Sequence, residues 1–270
     1  MKNKLIKTAC ILSSIGVTSL TSCGQNKAST YRTEIKAPFF NEVLNLVNNK
    51  QLKNKELWKR FVQVYKNQED TAADRKGYST WRCEFWGKMM RGATLCYRYS
   101  QDEELYNILT ETVKDLLTAQ DDKGRFSSYS VEKEFTNWDM WGRKYVMTAM
   151  LHYYEICKDG ALKNQIITAL KKHADYIISK VGNGPNQKNI IDCGSSAENV
   201  KGLNASTILE PFVNLYEVTK DNKYLNFAKY IIDAGFHASA CEQAFVLVSF
   251  EDDAEVVACT IDWQAHVAHN

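Results

Sequence analysis

A chain of 270 residues is long enough for one or two domains with a true core, and its formal net charge of +2 gives no global attraction for nucleic acid or for an anionic lipid surface. Only three prolines interrupt it, so long helices are permitted almost throughout.

Lys2, Lys4 and Lys7 make a basic start, followed by a moderately apolar run from Thr8 to Leu20. That run is too short and too rich in Ser and Thr to span a bilayer. It ends Leu20-Thr21-Ser22-Cys23, which resembles a bacterial lipoprotein box. Residues 1–23 are therefore expected to be a signal peptide and residues 24–38 a tether. Cys23 is the expected lipidation site, and acyl chains there would anchor an exported protein to a membrane. Of the six later cysteines, Cys83, Cys96, Cys157, Cys193, Cys241 and Cys259, none shows Cys-x-x-Cys spacing, so no metal site is visible in the sequence. Cys96 and Cys157 read as buried free thiols.

Apolar residues three and four apart predict helices near Phe39–Asn49 and Lys55–Asn67, then a polar loop from Gln68 to Tyr78. Beyond it the chain repeats itself. Tyr97 to Asp102, Tyr154 to Asp159 and Tyr216 to Asp221 share one Tyr-x4-Asp pattern, and each leads into a leucine: Leu105, Leu162 and Leu225. Recurrence at this distance marks repeated helical pairs. Each pattern follows an apolar helix (Phe85–Tyr99, Trp138–Cys157, Ile208–Val218) and precedes an amphipathic one (Glu103–Gln120, Leu162–Ile178, Tyr224–Asp233). Asp102, Asp159 and Asp221 are placed to cap the second helix of each pair. A buried helix, a short turn, a half-exposed helix and a longer loop give two concentric helical layers. The fold class is thus all-α, an (α/α) toroid of helical hairpins over residues 39–234.

The helix opened by Asn137-Trp138-Asp139-Met140-Trp141-Gly142-Arg143-Lys144 is apolar on nearly every side, which belongs inside a protein. Its first two turns nevertheless carry three charges between two tryptophans, the composition of a ligand-binding mouth. Trp138 reads equally as a stacking surface or as core, and Trp141 as core. Asp139 suits either a ligand or the helix dipole. Arg143 and Lys144 require a carboxylate partner or a substrate. Glu84 and Asp139 are the one carboxylate pair worth considering for acid/base work. Glu132 and Glu134 read as solvated loop charges, His152 as a hydrogen-bonded core histidine and His173 as a residue of an outer polar face. His237, His266 and His269 carry no expected metal role.

Four runs share their order and spacing with a known family: Phe85 to Met90; Leu116 to Gln120 followed by Gly124-Arg125-Phe126; Trp138 to Lys144 followed by His152 to Glu155; and Ile208 to Pro211 followed by Leu215-Tyr216. They resemble the bacterial β-L-arabinofuranosidase-like glycoside hydrolases, glycoside hydrolase family 127 and its relatives, over Phe39 to Asp233. The resemblance implies an (α/α)6 barrel acting on arabinose-containing glycans. It also implies a cysteine nucleophile, zinc held by cysteines and a glutamate, and a glutamate acid/base. No motif for those groups occurs here, so no catalytic residue and no zinc ligand is assigned. What carries over is the set of inner-helix mouths that face the sugar: Lys88, then Trp138, Asp139, Trp141 and Lys144, then Asn204 with Ser206.

All 34 Lys and Arg residues lie at or before Lys229, and the hairpin pattern ceases near Gly235. Residues 235–270 are expected to be an aberrant acidic tail on a truncated or frameshifted relative. Three to four of six hairpins would then be present, with inner-helix apolar surface left open. The expected function is a glycoside hydrolase fragment lacking its catalytic half. A non-catalytic glycan-binding lipoprotein and a helical-repeat adaptor are the rival readings.

Overall fold

The structure is a computed structural model that describes residues 36–71, 82–194 and 202–235. The chain divides into two compact units, Met1–Pro38 and Phe39–Asn270, and of the first only residues 36–38 are described. Cys23, Cys241, Cys259, His237, His266, His269, most of the expected tether and the tail beyond Gly235 lie outside the described residues.

Four hairpins follow one another among the described residues. Helix α1 (Pro38–Leu46) continues through one wider turn, Val47–Leu52, and pairs with α2 (Lys55–Lys66). Helices α3 (Cys83–Ser100) and α4 (Glu103–Leu117) form the second pair, and α5 (Asp139–Ile156) and α6 (Gly160–Lys180) the third. A single turn of helix, α7 (Leu203–Ser206), leads into the fourth, α8 (Leu209–Thr219) with α9 (Asn222–Gly235). The only β pairing among the described residues is an isolated bridge, Val181 to Lys188. The all-α hairpin architecture expected from the repeats is what forms.

The capping aspartates explain where the second helices start. Asp102 accepts from Leu105 N at 3.1 Å, Asp159 from Ala161 N at 2.8 Å, and Asp221 from Lys223 N at 3.2 Å. Each bond satisfies a donor that the first turn would otherwise leave unpaired. Two of the turns use a left-handed residue that is not glycine, Gln101 and Lys220, both at φ 54°. Their amides return to Tyr97 O and Tyr216 O, which makes the tyrosine of the repeat the last residue to close its helix.

Helices α3 and α5 run parallel at a constant offset. Cys83 Sγ meets Trp138 O, Trp141 Nε1 donates to Glu84, Lys88 lies over Tyr145, and Arg98 pairs with Glu155. Glycine allows the close approach at two points. A Cβ on Gly87 would stand 2.6 Å from the Tyr145 carbonyl carbon, and one on Gly142 would stand 2.6 Å from Cys83 Cβ. Lys144 pairs with Glu210 at 3.1 Å, which brings α8 alongside α5 in the same inner layer. Helices α2, α4, α6 and α9 form the outer layer, with Lys55–Glu111 and Lys66–Asp115 joining α2 to α4 across its surface.

Between the layers lies the core: Trp58 and Trp86 in edge contact at 6.5 Å, Leu105, Leu109, Leu116, Met147, Met150, Leu170, Phe212 and Ile231, all but sealed from solvent. Side chains of this size contribute roughly 1.5–3 kcal/mol each on burial. By contrast Phe39, Phe40 and Leu46 of α1 are 68%, 58% and 61% exposed, and Leu95 of α3 is 50% exposed. Large apolar side chains are therefore left open at α1.

Candidate functional site: the rim of the inner helices

The first three hairpin turns meet at one end, where Lys53 pairs with Asp102 and Lys158 with Glu103, and the N-terminal turns of α3, α5 and α8 meet at the other through Trp141–Glu84 and Lys144–Glu210. The α5 mouth is shaped by the preceding loop. Phe135 and Asn137 hold left-handed backbone, φ 55° and 47°, a conformation that costs a residue with a side chain about 1–2 kcal/mol. The loop is held there on every side. Phe135 N donates to Asp139 Oδ2 at 2.7 Å, Lys188 Nζ donates to Phe135 O at 2.6 Å, and the ring stacks on Tyr176 at 6.3 Å.

Asp139 is thereby committed. Besides Phe135 N it accepts from Ser127 Oγ at 2.6 Å and Arg143 Nε at 3.0 Å, and it is 1% exposed. No face of this carboxylate is left toward solvent, so the expected ligand role gives way to that of a loop anchor. Arg143 reaches on to Glu134 Oε2 at 3.0 Å, and Arg125 Nη1 meets the same oxygen at 2.9 Å. Tyr176 donates to the other oxygen of Glu134 at 2.5 Å. Glu134 is thus the hub of a buried ion network and not the solvated loop charge that its neighbours suggest, because the loop folds inward over α6. Glu132 does stay exposed.

His173 is likewise corrected. It is fully buried, and its Nδ1 accepts from Phe126 N at 3.0 Å. Burial first, and the nearby Arg143 next, hold its pKa well below the usual imidazole range. His152 is half-buried, and its Nδ1 has no hydrogen-bond partner, so it is not the satisfied core histidine expected. Burial lowers its pKa too.

Four of the seven expected rim residues, Lys88, Trp138, Trp141 and Lys144, come together with two glutamates and a tyrosine beside that anchored loop. Trp141 and Tyr145 meet edge-on at 5.2 Å, and Trp138 meets Trp141 at 5.8 Å. Lys88 Nζ lies 5.0 Å from the Tyr145 ring centre and 5.7 Å from that of Trp141. On the other side, Lys144 Nζ lies 4.3 and 5.7 Å from the same two rings. Each ammonium also has its own carboxylate: Glu84 at 2.8 Å from Lys88, Glu210 at 3.1 Å from Lys144. Trp138 and Trp141 are half-buried, so Trp141 belongs to this surface and not to the core. Asn204 adjoins it, donating to Asn137 O at 2.7 Å, while its Oδ1 and the Ser206 hydroxyl are buried without partners. Tyr145, Glu84 and Glu210 had no place among the sequence candidates for sugar contact. An offset of 57 residues along parallel helices would have paired Glu84 with Trp141 and Lys88 with Tyr145 in advance.

Two half-buried indoles set edge to face, with two ammonium–carboxylate pairs beside them, offer a sugar an apolar seat for its C–H face and charged donors and acceptors for its hydroxyls. Bond-breaking groups are another matter. Burial pushes the Cys83 thiol well above its ordinary pKa, raises that of Cys96, and pushes Cys193 up to about 12. Such thiols stay protonated at neutral pH, the wrong state for a nucleophile or a metal ligand. All four described cysteines are free. The zinc implied by the family resemblance finds no fit here, since among the described residues no three His, Cys, Asp or Glu side chains converge as an ion would require. Glu84 is bound to Lys88 and Trp141 and Asp139 to its loop, so neither member of the one expected acid/base pair is free.

The model of the β-L-arabinofuranosidase GH127 catalytic domain matches residues 27–266, a span that starts before Phe39 and reaches into the stretch after Gly235. A solved structure described as a GH127 β-arabinofuranosidase is similar with a TM-score of 0.52 and 16% identity, over 75% of this chain and 33% of that one. At that identity the likeness carries the fold, and the chain spans about a third of that relative's length. No curated protein matches the sequence.

Proposed function

Because the chain belongs to the β-L-arabinofuranosidase GH127 family, we propose that it is a glycoside-hydrolase chain whose inner-helix rim holds arabinofuranose-containing glycans. The observation that carries this reading is the Trp141–Tyr145 pair flanked by Lys88 with Glu84 and Lys144 with Glu210. Lys88, Trp138, Trp141 and Lys144 are the sugar-contacting residues in this reading. Asn204 positions the loop through Asn137, and Asp139 fixes the same loop from below. The described residues bind and orient. Burial raises the pKa of the Cys83, Cys96 and Cys193 thiols, and Glu84 and Asp139 are engaged by neighbouring side chains, so the reading assigns the described residues recognition and not cleavage. The address proposed with it is export and membrane attachment through a lipid on Cys23.

Titration of the full chain with an arabino-oligosaccharide, followed by tryptophan fluorescence, tests the proposal. The wild type is expected to bind and to release no arabinose. Trp138→Ala removes one stacking face and is expected to weaken binding about tenfold, the loss of roughly 1.4 kcal/mol. Wild-type affinity in that variant would refute the rim as a sugar site.

A further inference from the structure

Below the rim, the inner faces of α3 and α5 continue as two matched stripes: Lys88, Arg91, Leu95 and Arg98 on one, Tyr145, Thr148, His152 and Glu155 on the other. Two contacts fix their register. Lys88 lies over Tyr145 at the upper end, and Arg98 pairs with Glu155 at the lower. Since both helices rise equally per residue, Arg91 must stand opposite Thr148, and Leu95 opposite His152, about one and two turns below the rim.

The charges along these stripes are compensated at every place but one. Lys88 has Glu84, Lys144 has Glu210 and Arg98 has Glu155. Arg91 is half-buried and has no carboxylate within ion-pair distance among the described residues. The charged groups that act on His152 are Glu155, Arg91, Glu210 and Arg98, and of these Arg91 is the one without a counter-ion among the described residues. Across from Arg91 the Thr148 side chain is 1% exposed and its hydroxyl has no partner, and His152 Nδ1 one turn further is in the same condition. A buried hydroxyl left without a hydrogen bond costs about 1–3 kcal/mol, which an incoming acceptor would recover. One guanidinium with no ion-pair partner among the described residues and two buried, orphaned polar atoms therefore stand at adjacent levels of the α3–α5 seam, with exposed Leu95 as their apolar neighbour.

We propose that Arg91, Thr148 and His152 form an anion subsite below the rim that takes the carboxylate of an acidic sugar on the bound glycan. This rests on the glycan-binding reading of the rim and adds to it a preference for acidic over neutral chains. Guanidinium suits the task because its planar fork matches a carboxylate with two parallel hydrogen bonds. Asn204 and Ser206 belong to the neighbouring mouth and have no part in this subsite.

Isothermal titration of the full chain with two oligosaccharides of equal length, one neutral and one carrying a single glucuronate, tests the subsite. The acidic chain should bind at least tenfold more tightly, with the gap shrinking as salt rises. Arg91→Met should bring the two affinities together, and Arg91→Lys should restore part of the gap. Thr148→Val should narrow the gap while raising the melting temperature, since it deletes an unpartnered hydroxyl; a purely structural threonine would move the melting temperature alone. Equal affinities in the wild type, or a gap that survives Arg91→Met, would overturn the proposal. If neither oligosaccharide binds, the rim reading fails, and free glucuronate becomes the deciding probe. Arg91-dependent binding of glucuronate would sustain the anion subsite, no binding would overturn it, and tighter binding of inorganic phosphate would overturn its assignment to a carboxylate.

Discussion

Replacing Gly87 by alanine tests how the rim is assembled. The new Cβ would stand 2.6 Å from the Tyr145 carbonyl carbon and 2.7 Å from Tyr145 Cβ, closer than real Cβ atoms approach. Two of the clashing atoms are backbone, so no rotamer change relieves them and α3 must move off α5. Overpacking of this kind costs about 1–3 kcal/mol, while alanine in place of glycine inside a helix recovers about 1 kcal/mol. Gly92, on the same helix with nothing within 4 Å of its added Cβ, supplies the control. Gly92→Ala should be more stable than wild type by up to about 1 kcal/mol, because it gains propensity without a clash. The two variants are thus separated by the clash alone, and their thermal midpoints should differ by roughly 2–4 °C for each kcal/mol. Circular dichroism melts of both measure the difference. Gly87→Ala should also lose glycan affinity, because Lys88 and Glu84 shift away from Trp141 and Tyr145. A Gly87→Ala protein that melts at or above Gly92→Ala would refute the close helix contact and the rim built on it.

Arg143→Met leaves Asp139 and Glu134 buried beside each other without the cation they share, and breaking a buried pair typically costs about 3–5 kcal/mol. Urea unfolding should show that loss, and a change below about 1 kcal/mol would mean that the network is unimportant to the fold. Folded-state pKa depression at His173 implies that the unfolded chain takes up a proton first as pH falls. Stability should therefore decline below about pH 6.5, by at most about 1.4 kcal/mol per pH unit for this one group. His152, shifted the same way, adds to the decline. The slope between pH 7 and 5 should flatten in His173→Gln, and an unchanged slope would assign the pH dependence elsewhere. Cys23→Ser should abolish incorporation of labelled palmitate in a bacterial host if Cys23 carries the proposed anchor, and persistent labelling would remove it.

The hairpins were legible in the sequence because their signals are local. In two of the three repeats the tyrosine of Tyr-x4-Asp closes its helix, and the bonds from Leu105, Ala161 and Lys223 show the aspartate capping the next helix in all three. Grouping Lys88, Trp138, Trp141 and Lys144 also followed from the pattern, since parallel inner helices bring corresponding positions together. What escaped was the inward fold of residues 118–138, a tertiary event that no helical period encodes. It turned Glu134 from a loop charge into a buried hub and made Asp139 its anchor. His173 was masked by Lys171, Lys172 and Asp175, although its spacing from Ile166, Leu170 and Ile177 places it on the apolar face of α6. Asp139 and Arg143 stand four apart on one helix, a spacing that favours their pairing with each other over a ligand.

The hairpin ends differ in what they can tolerate. At the Tyr-x4-Asp end each connection is a few residues long and clamped by a cap, so insertion there would rotate a whole helix out of step. At the opposite end the described connections, residues 118–138 and 181–194, are long segments attached by side chains to helices whose spacing they do not set. Lengthening or rewriting them would change the shape around Trp138 while the parallel register of Lys88 and Tyr145 persists. A scaffold divided this way can diversify what it recognises without refolding.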